Sequence, residues 1–401
     1  MYVSRLRIDN IKGFHGDRSV DLDLTRPDGS HTGWTVVAGP NGSGKSTLLR
    51  AVALTLTGVA GGGLLDLSSW LHADAAVGGV KIVDEASGDV QWRLVRAARG
   101  VIERHVGGRG FCVGYGPFRG HGAGPRVPMT GGAAPVGSLF HDAPVLGESV
   151  DWLVAQHLRR LEQRCGAAEL LDAVLALLGD GLLPEGHRVL RVDSDGLWIG
   201  QGGAEFPLRT LGDGCQAVAA LVLDLVRQAQ QAEPDAELVV NGEVPTVPVS
   251  GVVLIDEAEA HLHLGWQQRL GEWLVAHFPN VQFIVSTNSP YICQAADPGG
   301  LIRLAAPTEA EPPRVLDDDL HQRIVYGSGD DAALSELFGL PSAYSPQAEA
   351  ERRLLIALER KLYAGKASRS EVAEYQELGA KLNSSLSARV DEFRARTGGE
   401  R

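Results

Sequence analysis

One short run constrains this chain more than anything else in it. Gly39-Pro40-Asn41-Gly42-Ser43-Gly44-Lys45-Ser46 follows a β-rich stretch, Trp34-Thr35-Val36-Val37-Ala38. It precedes Thr47 through Leu56, a series of helix formers with no breaker before Gly58. A strand that feeds a glycine turn opening a helix aims several backbone N–H groups at one spot, at the positive end of the helix dipole. In that setting the complete GxxxxGK[ST] pattern is a phosphate cradle. Its chemistry assigns Lys45 to the β- and γ-phosphates of ATP and the Ser46 hydroxyl to Mg²⁺, with Gly39 to Thr47 forming the cradle.

A second half-site lies far along the chain. Val252-Val253-Leu254-Ile255 is a continuous apolar run, as expected of a strand covered on both faces. It runs directly into Asp256-Glu257. An aspartate at the end of a buried strand can hold the Mg²⁺ shell, and the glutamate beside it can orient or deprotonate an attacking water. Gln282-Phe283-Ile284-Val285-Ser286 reads as another buried strand.

Composition narrows the class. The 401 residues are 44% hydrophobic, enough for a large core, and no run of about eighteen apolar residues suggests a membrane span. The four cysteines, Cys112, Cys165, Cys215 and Cys293, are scattered and form no CxxC pair, which fits a reducing compartment and a cytoplasmic address. A formal charge of −13 argues against coating nucleic acid with the whole surface but permits a local basic groove.

The rest of the chain reads as follows. Tyr2, Val3, Leu6, Ile8 and Ile11 mark an opening strand, and residues 80–84 and 90–96 two antiparallel strands of a small side sheet. From Val106 to Gly137 glycine and proline crowd the chain, which points to a long loop. Val150 to Leu178 reads as helical, Arg188–Val192 and Leu197–Ile199 as strands, and a helix begins near Asp213. Arg159, Arg160 and Arg164 fall on one expected helix, Arg160 and Arg164 as a short basic stripe or as solvated charge. After Ser345, Leu354, Leu355, Leu358 and Leu362, then Val372, Tyr375, Leu378, Leu382, Leu386, Val390 and Phe393, repeat at helical spacing about a turn near Gly365. The expected organisation is a head over 1–344, with a helical and loop insertion over about 106–190, and a helical hairpin over 345–401 for docking or oligomerisation.

The motifs resemble a family. IDEAEAHLHLGWQQRL followed by a strand and STNSPYI is similar to the DExExHLHP and STHSP motifs of RecF, SMC-like and OLD-type ATPases. Leu6–Phe14 resembles their opening strand and turn, and Leu211-Gly212-Asp213-Gly214-Cys215 falls where they carry the LSxG signature. The resemblance, over about 1–340, implies an α/β P-loop head of the ABC type and two heads sandwiching ATP, with Leu211, Gly212, Asp213 and Gly214 of one facing the γ-phosphate held by the other. Lys12 follows the first strand, where it can reach the α-phosphate or adenine, although a solvated turn lysine fits equally. His261 and His263 would stand near the dimer interface, or simply cap and pack a helix.

Gly114-Tyr115-Gly116-Pro117-Phe118-Arg119, Ser138-Leu139-Phe140 and Asp151-Trp152-Leu153 resemble, more specifically, the PtuA-type ATPase subunits of Septu and retron-linked anti-phage systems, which pair with a separate HNH nuclease. That resemblance implies an oligomer built from dimers, acting with a nuclease subunit and, through the complex, on DNA or RNA. After Phe338 no DxD or HNH-like cluster is seen, so cleavage is expected from another polypeptide. Departures from the family pattern accompany these likenesses. Gly212 replaces the signature serine, Asn288 the switch histidine and Leu264 the proline of HLHP. The Q-loop position falls to Gln91 or to the Tyr115–Arg119 loop. These changes point to slow hydrolysis, with Glu257, Lys45 and Asn288 as the catalytic set. A RecF-like DNA clamp and a transporter nucleotide-binding subunit are the alternatives.

Overall fold

The structure is a computed structural model that describes residues 2–58, 66–84, 88–107, 110–117, 134–141, 146–183, 186–233 and 244–382. The chain forms two compact units, Met1–Phe338 and Gly339–Arg401.

At the centre of the first unit stands a six-stranded sheet in the order β14-β13-β3-β12-β11-β7. Its members are β3 (Trp34–Ala38), β7 (Cys112–Tyr115), β11 (Gly251–Ile255), β12 (Val281–Thr287), β13 (Leu301–Arg303) and β14 (Arg314–Val315). All pairings are parallel except β13 with β14. Every residue of β3, β7, β11 and β12 is buried, the reason Val252–Ile255 is an unbroken apolar run rather than an alternating one. The strand β7 corrects the reading of Val106–Gly137 as loop throughout. Four residues between glycine-rich flanks carry no periodic signal, and the strand exists because Cys112–Tyr115 pairs in register with Val252–Ile255, far away in sequence.

A second sheet, antiparallel, runs β2-β1-β4-β5-β6. It comprises β1 (Arg5–Asp9), β2 (Val20–Asp23), β4 (Val77–Val83), β5 (Val90–Ala97) and β6 (Gly100–Val106). The expected pair of strands is thus the middle of a larger sheet. Leu6, Ile8, Leu22, Ile82, Trp92 and Leu94 alternate onto its inner face. Between the two sheets lies α1 (Lys45–Thr57), buried on both sides, so that Leu48, Leu49, Val52 and Leu56 join one core with Val252, Leu254 and Ile284.

The other face of the parallel sheet packs against helices. These are α2 (Leu146–Leu161), α3 (Ala167–Gly179), α4 (Asp213–Ala232), α5 (Leu264–His277) and α6 (Pro290–Cys293), accompanied by a three-stranded sheet of β8 (Arg188–Asp193), β9 (Gly196–Gln201) and β10 (Ala204–Pro207). The helix expected over Val150–Leu178 is two, broken around Gln163 and Gly166, both at positive φ. Arg164 therefore lies beyond the end of α2. It pairs with Glu162 and Arg160 pairs with Asp172, so the basic stripe does not form. Two short helices, α7 (Asp318–Val325) and α8 (Gly329–Ala333), close the first unit.

The second unit is a helical hairpin of α9 (Pro346–Tyr363) and α10 (Arg369–Leu382), turning at Gly365. Leu386, Val390 and Phe393 lie outside the described residues, as do Phe118 and Arg119. Among the described residues no helix is long and apolar enough to cross a membrane.

Candidate active site

Register decides what meets at the carboxyl edge of the parallel sheet. β12 lies between β3 and β11, so the ends of β3 and β11 are roughly 10 Å apart across two interstrand spacings. Gly39 leaves β3, Asp256 leaves β11, and Asn288 leaves β12 between them. The three cross one edge at a point where the chain order reverses, the usual place for a ligand in an open α/β sheet.

The glycine turn is shaped from below by the first strand's own turn. Gly44 takes φ 108°, and a Cβ there would lie 2.7 Å from the Phe14 ring. Phe14 is buried, and its turn is closed by reciprocal backbone bonds with Ile11. The cradle is also gripped from outside by Arg18. Its guanidinium donates to the carbonyls of Ser43 (3.2 Å), Ala305 (3.2 Å), Ala306 and Glu309 (2.8 Å). Within the turn Gly39, Ser43 and Lys45 are buried, while Pro40, Asn41 and Gly42 form an exposed rim. The Ser43 hydroxyl is buried without a hydrogen-bond partner.

Lys45 is only 8% exposed. It donates to the carbonyls of Gly39 (2.6 Å) and Pro40 (3.3 Å) and to Oδ1 of Asn288 (2.9 Å). Burial pushes its pKa down, against the pull of Glu259, Asp256 and Glu257. Those carboxylates are therefore close enough to be felt. Asp256 is 2% exposed and accepts a hydrogen bond from the Ser286 hydroxyl. The same hydroxyl accepts from the backbone N–H of Glu257 (2.9 Å). Glu257 itself is exposed and held at φ 49°, a left-handed conformation that costs a non-glycine residue about 1–3 kcal/mol. Strain of that kind is retained where the surrounding structure aims a side chain.

Glu259 grips the end of β12. Its carboxylate accepts from the Thr287 hydroxyl (2.6 Å) and from the backbone N–H of Asn288 (2.6 Å). Neither Glu259 nor Ser286 stood among the expected site residues. Both lie inside the quoted motifs, but their roles depend on Ile255 pairing with Val285. Arg18 has no sequence signal at all.

The structure thus brings Lys45, Asn288, Asp256 and Glu257 together, with Ser46 and Thr47 in the first turn of α1. Lys12 is half-buried with its ammonium 4.5 Å over the Trp70 ring, and burial lowers its pKa. Gly212 begins α4 with no side-chain cap, and Gly212 and Asp213 are exposed. Gly214 packs against the turn that follows β11, where a Cβ would sit 2.5 Å from the His261 carbonyl. His263 caps α5, its Nδ1 accepting from the Gly265 N–H (3.4 Å). Gln91 lies within β5 of the antiparallel sheet, whereas the Tyr115 loop opens beside Asp256, whose N–H donates to the Tyr115 carbonyl (2.8 Å).

The residues present fit a nucleotide triphosphate and its metal. A buried ammonium, an unsatisfied buried hydroxyl in a glycine cradle and an oriented buried carboxylate converge on one edge. The glycine turn with its buried lysine has the build of a P-loop. Residues 5–104 match the family described as "AAA domain", and residues 156–294 the family described as "AAA domain, putative AbiEii toxin, Type IV TA system". The chain is 25% identical over 300 residues to the Septu protein PtuA of Bacillus mycoides (strain KBAB4), covering 72% of this chain and 38% of that protein. It is 40% identical over 90 residues to the Retron Vc95 probable ATPase of Vibrio cholerae serotype O1 biovar El Tor, covering 22% of this chain and 16% of that protein. The chain therefore spans well under half the length of these relatives. Among solved structures, the Smc head bound to the C-winged helix domain of ScpA superposes with a TM-score of 0.48 at 16% identity, over 79% of this chain and 98% of that one.

Proposed function

We propose that the chain binds ATP with Mg²⁺ at the Lys45 edge, assembles through that nucleotide with a second copy, and controls a separate HNH-type nuclease in anti-phage defence. The observation that carries the ATP reading is the Lys45–Asn288 contact beside Asp256 and Glu257, which joins three distant segments at one point. The defence role draws on the similarity to Septu PtuA and the retron ATPase.

Lys45 would exchange its two loop carbonyls for phosphate oxygens. Ser46 and Asp256 would hold Mg²⁺, whose charge offsets that of the phosphates when bound. Glu257, exposed and backbone-strained, would orient water and take its proton. The exposed start of α4 offers its N–H groups to a phosphate held by the second copy, with Gly212 supplying no hydroxyl. Asn288 can donate or accept a hydrogen bond but cannot carry charge, so turnover should be slow. Higher oligomers built from such dimers, and contact with DNA or RNA through the complex, belong to the same reading.

The test is co-expression with neighbouring reading frames, purification, and plasmid cleavage with and without ATP. Recovery of an HNH protein whose cleavage responds to ATP is the expected result. A chain that recruits no nuclease and by itself binds gapped DNA tightly would overturn the defence reading in favour of a RecF-like clamp.

A further inference from the structure

Asn288 has two neighbours that reach in different directions. On one side Glu259 anchors the end of β12 through Thr287 and the Asn288 N–H. On the other, the Ser289 hydroxyl donates to Oε1 of Gln267 (2.6 Å), and the same amide donates through Nε2 to the carbonyl of Leu262 (2.9 Å). Leu262 sits between His261 and His263, both exposed. That turn is strained, with His261 at φ 66°, and its His261 carbonyl rests where Gly214 has no side chain. One amide therefore stands between the residue that touches Lys45 and the turn that touches the start of α4.

We propose that Gln267 is a positioning residue that carries the state of the Lys45–Asn288 contact to the His261–His263 turn and so to Gly212–Gly214. This rests on the ATP-driven assembly described above. The division of labour follows from the bonds. Glu259 holds Asn288 in place whether or not Gln267 is present, so loss of the Gln267 amide leaves the Lys45 side intact. It removes the donor to Leu262, so the turn that carries left-handed strain at His261 has one link fewer to β12 and is held there through Glu259, whose carbonyl accepts from the Leu262 N–H (2.9 Å). An apolar side chain breaks both bonds. A carboxylate keeps the acceptor for Ser289 and loses only the donor to Leu262.

The test uses the full chain as wild type, Gln267→Met and Gln267→Glu. Affinity for a fluorescent ATP analogue, turnover with its KM, and assembly by sedimentation with ATP and Mg²⁺ are measured on each. Both variants should bind the analogue within about two-fold of wild type while turnover and the assembled fraction fall about ten-fold. A Gln267→Glu protein that assembles and turns over like a responsive wild type overturns the inference alone, since the lost donor then carries nothing. Loss of analogue affinity in step with turnover also overturns it, because the amide is then ordinary scaffolding. A wild-type chain that neither assembles nor turns over with ATP sinks the underlying reading and this inference with it.

Discussion

Helices in this chain begin in two ways, and the contrast separates motif from scaffold. α1 starts at Gly44 and α4 at Gly212, neither with a side-chain hydrogen bond to its first N–H groups. Later helices begin closed. His263, Ser289, Asp317, Ser328 and Ser345 each accept from the N–H groups of α5 to α9, and Ser328 with Asp331 forms a reciprocal box. A capped start has spent its donors, whereas an open one keeps them and the positive dipole end for an anion. α3 also opens at a glycine, Gly166, but it follows a reverse turn and carries no motif. An open start is thus needed for the phosphate role without being proof of it.

The comparison breaks most severely at Gly44. Gly44→Ala forces a side chain into φ 108° and onto the Phe14 ring. Strain and overpacking together should cost about 2–5 kcal/mol and abolish measurable nucleotide binding. Thermal melting and nucleotide titration check this. Adding Phe14→Leu should recover part of the stability and none of the binding, because the backbone strain persists. The next effect is Lys45→Ala. Removing a charged donor to phosphate should weaken ATP by roughly 100-fold at most, with little loss of stability, since the ammonium's present partners are two carbonyls and one amide. Isothermal titration would show it.

How much of this was legible in the sequence follows from the physics of each signal. The cradle and the Asp256 strand were readable because each is local: a spacing pattern in one case, an unbroken apolar run in the other. The start of α4 was readable for the same reason. β7 was not, because its strand character comes from pairing with β11 and not from its own four residues. Ser286 and Glu259 lie in motifs that drew notice, yet what they do depends on parallel register between β11 and β12. The break after Leu161 was hidden by good helix formers on both sides, and only the positive φ at Gln163 and Gly166 exposes it.

Closing an open start should sharpen the contrast in the opposite direction. Gly212 has extended dihedrals and nothing within 4 Å of an added Cβ, so Gly212→Ser fits without strain. As an N-cap, serine should add a few tenths of a kcal/mol to stability. If the missing hydroxyl limits turnover, the same change raises kcat roughly ten-fold at unchanged KM, an order-of-magnitude expectation for one hydrogen bond to a charged phosphate of about 1.5 kcal/mol. Steady-state kinetics decides: a serine that stabilises the helix and slows turnover would mean the open N–H groups themselves face the phosphate.

The smallest effect lies at a start that is fully closed. Ser368 and Glu371 cap α10 reciprocally: the Ser368 N–H donates to the Glu371 carboxylate (2.8 Å) and the Glu371 N–H to the Ser368 hydroxyl (3.2 Å). The Lys361 ammonium donates to the same carboxylate at 2.7 Å, and this contact foremost, with the Ser368 bonds, holds the Glu371 pKa at about 2 instead of 4.5. Because the folded pKa is depressed, the cap's contribution is complete above pH 4.5 and is lost as pH falls toward 2. Hydrogen-exchange protection at the first amides of α10, corrected for intrinsic rates, should fall across that window. Glu371→Gln should show reduced protection already at neutral pH, with no further Glu371-dependent fall on acidification. No comparable acid step is expected at α4, whose start has no carboxylate cap to protonate. A matching step there would show that Asp213 closes the α4 start in solution, and the distinction between open and closed starts would not hold.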